Sequence, residues 1–521
     1  MADADTSRLC IQIINAHFGP LVAKVSSVLL NRGRLQLSQI VRFSGLKPRT
    51  VRGAILALIQ HNLVWHSEHE DEGEVLEFNQ EACLMRLRFG RFISLAKEIL
   101  GEAASRVVSV ILLHGKLQQS DVLRYLSITD PKEVSVYLQV INRLVIGVYL
   151  KPSTKLSHIS RTDRQLRLEA KFRKEHKGIP TPKDVIGWKI EARARVKREE
   201  GEEAESIGMK RKAKDQTNQR FNKICLKRKL VEDDVIEEET YFRVNHVKFN
   251  VQIRNNIIEK ATRERFNHAT ALVLRATLRA TESKQLTLDD IRSDPVSVAN
   301  ISTHLSDDDD LSSGLVLHSN RNPSTHTLLK EYIAILACAD NPTTEGRASS
   351  FVTVGGGGTG KVQVEFETIC RRLRQRVLEA VARERYGDDA VRIIRILLSM
   401  NKVDEKHLAK VAMMAHKDVR PILSSLSADA IISLQEIPRG NDRNPARTKI
   451  AEEEEPIVKS VLEKRARSDV MNDESLLTRM EREVLREFED KLERLNGLER
   501  RVEEVAFILR DLGTVGEKDI G

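Results

Sequence analysis

The sequence predicts a mainly α-helical protein, a tandem array of small domains that each carry a short β-ribbon, and three observations lead there. Residues 33–64 write two short helical patterns joined by a turn at Gly45 to Pro48, and alternating residues follow through Phe78. Helix, turn, helix and strand pair is the outline of a winged helix. The run Gly33-Arg-Leu-Gln-Leu-Ser-Gln-Ile-Val-Arg-Phe then recurs as Gly115-Lys-Leu-Gln-Gln-Ser-Asp-Val-Leu-Arg-Tyr, and His61-Asn-Leu-Val is matched by Asn142-Arg-Leu-Val, so the unit repeats. At 521 residues the chain is also too long for one core; a prior of about 150 residues per domain suggests three or four. The expectation is therefore about four tandem winged-helix domains with small β-wings, closed by a C-terminal coiled coil.

The first domain, residues 1–88, begins with apolar residues at helical spacing from Arg8 to Leu30, which Gly19-Pro20 should kink or divide. In its third helix Val51, Ile55 and Leu58 fall on one face, Arg49 on the opposite face and Arg52 on the flank, as a recognition helix requires. The hairpin tip at 68–74 is strongly acidic and repels phosphate, so the helix and not the wing would have to meet DNA. The second domain, 89–152, has helices expected at 103–113, 119–127 and 131–143. The exposed positions of its third helix, Lys132, Glu133, Ser135 and Gln139, are mixed in charge and suit a protein-binding role.

Residues 153–239 lose apolar periodicity and gain charge, and read as a charged linker with basic clusters at Lys210 to Lys214 and Lys227 to Lys229. The third domain, 240–366, opens on the extended segment Thr240 to Phe249. A long helix over about 251–280 and a short second helix at 286–291 should follow, then a polar insertion at 306–325 and a third helix at 327–339. The aspartates at 307–310 lack the glycine turn and terminal glutamate of a calcium loop and read as a solvated acidic loop. Gly355-x-x-x-x-Gly360-Lys361 approaches a phosphate loop, but Val362 stands where a magnesium-binding hydroxyl is needed. Val362 to Phe366 also alternates as a strand and does not open a helix, so the segment reads as the third wing.

The fourth domain, 367–450, has helices expected at 367–386, 389–399, 404–413 and 417–426 and a strand at 431–437. Val419, Leu423 and Leu426 repeat the inward face of Val51, Ile55 and Leu58. Lys402, Lys406, Lys410, Lys417, Arg420, Arg439, Arg443 and Arg447 form a basic set that suits either phosphate or a salt-bridged exterior. In residues 451–521, Leu485, Phe488, Leu492, Leu495, Val502 and Leu509 follow three-and-four spacing, the seam of a coiled coil that needs a helix to pack on.

Composition narrows the function. Hydrophobic residues make up 40% and charged residues 31%, as in a soluble globular protein, and no apolar run reaches the roughly 18 residues of a membrane helix. The start is acidic and lacks the order of a signal peptide. Five cysteines lie far apart without zinc spacing, and neither a metal nor a cofactor is expected. A net charge of +9 favours an anionic partner, and aromatics at 4% are too few for single-strand stacking platforms. Lys47, Arg49 and Arg52 in the first domain, with Lys417 and Arg420 in the fourth, are the candidate phosphate contacts.

The order of His17-Phe-Gly-Pro20, Tyr241-Phe-Arg-Val-Asn245, Glu436-Ile-Pro-Arg-Gly440, Asp442-Arg-Asn-Pro-Ala-Arg447 and the closing Val502-Glu-Glu-Val-Ala-Phe-Ile-Leu-Arg-Asp-Leu512 resembles the winged-helix initiation subunit, the third-largest, of eukaryotic DNA-directed RNA polymerase III. That family is related to the alpha subunit of TFIIE. The resemblance covers nearly the whole chain. It implies a non-catalytic nuclear subunit that forms a trimer with two smaller subunits and docks on the clamp of the largest subunit. It also implies help in recruiting the initiation factor and opening promoter DNA for transcription of small RNAs such as tRNA and 5S rRNA. The sequence departs from the family after Arg447, where Thr448 to Glu455 does not supply the apolar return strand of a fourth wing. The rival reading is a winged-helix interaction scaffold of another nuclear assembly, without DNA contact.

Overall fold

The computed structural model describes residues 4–432 and 501–512, apart from 70–72, 129, 177–180, 207–208, 212–233, 237–238, 286, 307–310, 312–313, 316–323, 339–340, 342–348, 356–359, 401–402 and 430. The chain divides into two bodies, Met1–Ile257 with Glu282–Thr287, and Ile258–Thr281 with Leu288–Gly521.

In the first body the expected break falls at Gly19, whose φ of 83° lies in the left-handed region. It separates α1 (Ala4–Phe18) from α2 (Pro20–Arg32), and Pro20 opens α2 where its missing N–H is not needed. Then come β1 (Leu35–Gln36), α3 (Leu37–Ser44), α4 (Pro48–Gln60), β2 (Val64–His69) and β3 (Gly73–Phe78). The sheet is antiparallel in the order β1-β3-β2, with Leu35 opposite Leu76 and Val64 opposite Phe78. Val51, Ile55 and Leu58 of α4 are buried with Ile14, Val25, Leu29 and Ile40 in one core. This is a winged helix, and α5 (Gln80–Met85) folds back on α1.

The second repeat has the same plan. α6 (Phe89–Leu100) and α7 (Glu102–His114) meet at Gly101, with φ 88°, and α8 (Gln119–Tyr125), α9 (Pro131–Ile146) and β4 (Leu150–Pro152) follow. The chain then leaves the repeat. α10 (Arg161–Glu175) and α11 (Pro182–Ser206) pack on each other, and β5 (Met209–Arg211) pairs with β6 (Asp234–Ile236). Only afterwards does β7 (Phe242–Val244) return to pair antiparallel with β4, Leu150 opposite Val244, while Leu117 bridges to Phe242. The segment expected to open the third repeat at Thr240 therefore supplies the return strand of the second wing. The cause is burial: Phe242 and Val244 are 2% and 6% exposed, and β4 otherwise presents an unpaired edge. The expected linker is a folded insertion inside that wing over its described part; the basic clusters lie largely outside the described residues.

α12 (His246–Arg265) is followed in the second body by α13 (His268–Thr281). One long helix was expected here. It breaks at Phe266 and Asn267 because the Asn267 side chain accepts the Thr270 N–H at 2.7 Å and caps a new helix. The second helix of this repeat is also not at 286–291. Leu288 to Ile291 is irregular, its Ile291 carbonyl accepts the Glu367 N–H at 3.2 Å, and the short helix is α14 (Val298–Ser302), capped by Ser297. With β8 (Val296–Ser297), α15 (Thr325–Leu336), β9 (Val352–Val354) and β10 (Lys361–Val364), the sheet order is β8-β10-β9, as in the first repeat. Most of the insertion expected at 306–325 lies outside the described residues.

The fourth repeat contributes helices Phe366–Tyr386, Asp388–Met400, Glu405–Ala412 and His416–Ala428 around Val391, Ile394, Leu408, Val419 and Leu426. The expected strand is described only at Ile431 and Ile432, which pack on that core. The fourth wing lies outside the described residues. Of the expected coiled coil, residues 501–506 are helical and Phe507–Asp511 form a π-helical turn. Phe507 and Leu512 are fully buried, and the Leu512 carbonyl accepts an Arg374 N–H at 2.8 Å, so this terminal segment packs on the chain's own helix Phe366–Tyr386. The rest of the coiled-coil seam lies outside the described residues.

Candidate nucleic-acid interface

The first candidate surface is built by the start of α4. Pro48 sets the helix start, burial of Val51, Ala54, Ile55 and Leu58 fixes which face turns inward, and Lys47, Arg49 and Arg52 are left exposed. None of the three has a partner among the described residues. Three cations beside the free amides of a helix N-terminus suit a phosphate backbone. Leu56, 67% exposed, continues the same outward face, so the surface is not purely electrostatic.

In the fourth repeat the equivalent helix His416–Ala428 buries Val419 and Leu426 and exposes Lys417 and Arg420. Lys417 is without a partner among the described residues, whereas Arg420 donates to Glu405 at 3.1 Å. Lys406 and Lys410 are exposed one turn apart on the preceding helix; Lys402, Arg439, Arg443 and Arg447 lie outside the described residues. The five candidates thus form two groups on different bodies. The third helices of the other repeats are less cationic: α9 exposes Lys132, Glu133, Ser135 and Gln139 with Val136 and Ile146, and α15 exposes His326, Lys330 and Glu331.

The far end of α4 is locked by residues that sequence reasoning missed. Gln60 donates to the carbonyls of His114 and Lys116 at 3.2 and 2.7 Å, and Lys116 Nζ donates to the Ile59 carbonyl at 2.9 Å. Lys116 is almost completely buried. Loss of solvation, then the neighbouring Arg243, lowers its pKa to about 8. His158 faces it at 3.1 Å, and burial followed by the charge of Lys116 pushes that imidazole down to about 4. Gly115 makes the approach possible, since a Cβ there would lie 2.3 Å from the Gln60 carbonyl oxygen. The equivalent of Lys116 in the first repeat is Arg34, which bridges Glu77 of the wing at 2.8 Å and Asp163 of α10 at 2.7 Å. The matched Gly33-Arg34 and Gly115-Lys116 were the available signal, but a repeat shows equivalence and not what each basic side chain meets.

The described residues on either side of the glycine run pair as strands. β9 and β10 are antiparallel with Val362 opposite Val354, the Gly355 N–H donates to the Lys361 carbonyl at 2.8 Å, and a strand stands where a phosphate loop requires a helix. Among the described residues no group of three or more metal-ligating side chains comes together, and no helix is long and apolar enough to cross a membrane.

Family models match three stretches of the chain. Residues 8–69 match the RNA polymerase III subunit RPC82 helix-turn-helix domain, 139–350 match RNA polymerase III subunit RPC82, and 378–450 match the POLR3C C-terminal winged-helix domain. The chain belongs to the RPC82 family of RNA polymerase III subunits. DNA-directed RNA polymerase III subunit RPC-3 of Coccidioides immitis is 25% identical, with 97% of this chain and 99% of that protein covered. Subunit RPC3 of Bos taurus and of Homo sapiens are each 25% identical, with 85% of this chain and 78% of those proteins covered. The helix-turn-helix match takes in all of α3 and α4, and hence Lys47, Arg49 and Arg52; the C-terminal match takes in Lys417 and Arg420.

Proposed function

We propose that the chain works as a non-catalytic, DNA-proximal subunit of nuclear RNA polymerase III, supporting promoter recruitment, DNA opening and initiation on small-RNA genes. Its partners in this reading are two smaller subunits that complete a trimer, the clamp of the largest subunit, the initiation factor and promoter DNA. Lys47, Arg49, Arg52, Lys417 and Arg420 hold phosphates. The observation that carries the DNA role is the exposed, unpartnered Lys47, Arg49 and Arg52 at the start of a helix whose other end is locked in place. Arg420, already tied to Glu405, is the weakest of the five. An interaction scaffold of some other nuclear assembly is disfavoured by family matches spread from residue 8 to residue 450.

One experiment addresses both halves. Purified from nuclear extract, the chain should bring polymerase III subunits with it. Reversal of all five charges should leave that association intact while lowering DNA affinity and flattening its salt dependence by about one counterion for each phosphate no longer held. Unchanged DNA crosslinking and salt slope in the five-fold variant would remove the phosphate assignment.

A further inference from the structure

Three of the four repeats end their second helix on a residue in the left-handed region: Gly45 with φ 63°, Ser127 with φ 54° and Met413 with φ 53°. The turn into the third helix requires it. In the second and fourth repeats it is closed by the same six-to-one bond, Ile128 N–H to the Leu123 carbonyl at 3.3 Å and Met414 N–H to the Ala409 carbonyl at 3.0 Å. Glycine enters this conformation without a steric penalty and methionine does not.

Folding makes no use of the Met413 side chain. It is 91% exposed, the most of any large apolar residue among the described residues, and it is the next residue, Met414, that packs on the core. A strained non-glycine position that presents an apolar group to solvent is an outlier of the kind that collects at functional sites. Lysines flank it along the chain, with Asp418 beside the last of them. Lys406 and Lys410 precede it on helix Glu405–Ala412 and Lys417 follows in the first turn of the next helix; all three are exposed and without partners among the described residues.

We propose that Met413 is an apolar wedge that inserts between adjacent bases of DNA whose phosphates are held by Lys406, Lys410 and Lys417. The proposal rests on the phosphate-contact reading of Lys417 and adds to it a residue that meets bases. Wedges of this kind hold a duplex kinked or opened, and the unstacking cost is offset by contacts the distorted DNA then makes. An unbranched, polarizable side chain suits an irregular opened step. The three unpaired lysines favour DNA over an apolar pocket on another protein, which would leave them without counter-charge.

The test compares the full chain with Met413→Gly and with a Lys406→Glu, Lys410→Glu, Lys417→Glu variant on a linear duplex and on the same duplex carrying a mismatch bubble with 2-aminopurine at its edge. Met413→Gly relieves the backbone, so its thermal midpoint should be equal or higher. It should bind linear duplex with unchanged affinity and salt slope, weaken about tenfold on the bubble and abolish the 2-aminopurine rise. The lysine variant should bind both substrates more weakly and with a flatter salt slope, since Lys47, Arg49 and Arg52 remain. A glycine variant that keeps the bubble preference and the fluorescence rise while the lysine variant binds more weakly overturns the wedge and leaves the phosphate contacts standing. A lysine variant that binds like the parent overturns both, and a glycine variant that loses only a co-purifying protein reassigns Met413 to a protein contact.

Discussion

Lys116 and the histidines near it make the first body sensitive to pH in a defined direction. Burial first, then neighbouring cations, holds His61, His158 and His246 down to about 4 from an ordinary 6.5. In the unfolded chain these rings take up protons below 6.5 that the folded rings refuse, so their stabilising effect is complete above 6.5 and is lost as pH falls toward 4. For His246 the loss should be roughly 2 kcal/mol, less than the full shift implies because the ring keeps some exposure to solvent. Lys116 adds a gain in stability as pH rises from about 8 toward its ordinary 10.5. Trp65 and Trp188 both belong to the first body, so the urea midpoint of tryptophan fluorescence at pH 7 and pH 4.5 checks the prediction, and His246→Gln should shrink the difference. Gly115→Ala is a second prediction at this scale: with φ at 88° and the Gln60 oxygen in the way, it should cost the first body about 3 kcal/mol or more in the same assay.

Among the elements, β7 has the most to explain. Phe242→Ala keeps the backbone pairing to Pro152 and Leu117 but removes a ring from a residue that is 2% exposed, and should destabilise the second repeat by about 3–5 kcal/mol, read as reduced amide protection in α7, α9 and β4. The helices of each repeat were legible because their inward positions recur at helical spacing, as Val51, Ile55 and Leu58 show. The wings of the first and third repeats were legible because their two strands adjoin in sequence. The second wing was not, since strand alternation in Phe242-Arg-Val244 says that a strand exists but carries no address for its partner across an insertion. Asn267 and Ser297 explain the other misses, because a cap that starts a helix leaves the apolar period on either side almost unchanged. Of the candidate site, the exposure of all five basic residues was legible from helical phase. The tie between Arg420 and Glu405 and the lock on Gln60 were not, because both depend on which elements pack together.

For the molecule as a whole, the tandem plan separates duties. The first and fourth repeats each close a core of their own, so surface charges on one are free to change without unfolding the other, and the five charge reversals described above should leave the thermal midpoint within a few degrees of the parent. The terminal segment is different: Phe507→Ala removes a fully buried ring that packs on helix Phe366–Tyr386 and should lower the stability of the second body by roughly 3 kcal/mol, read as increased proteolysis there. The interrupted second wing bears on synthesis at the ribosome. The first repeat has all its strands once Phe78 has emerged, but β4 at Leu150–Pro152 waits for a mate at Phe242–Val244. Bringing those ends together costs about 3 kcal/mol more loop entropy than a four-residue turn would. During elongation the nascent second repeat therefore exposes an unzipped edge while the intervening residues are made, and it is over that interval that a chaperone would find most to hold.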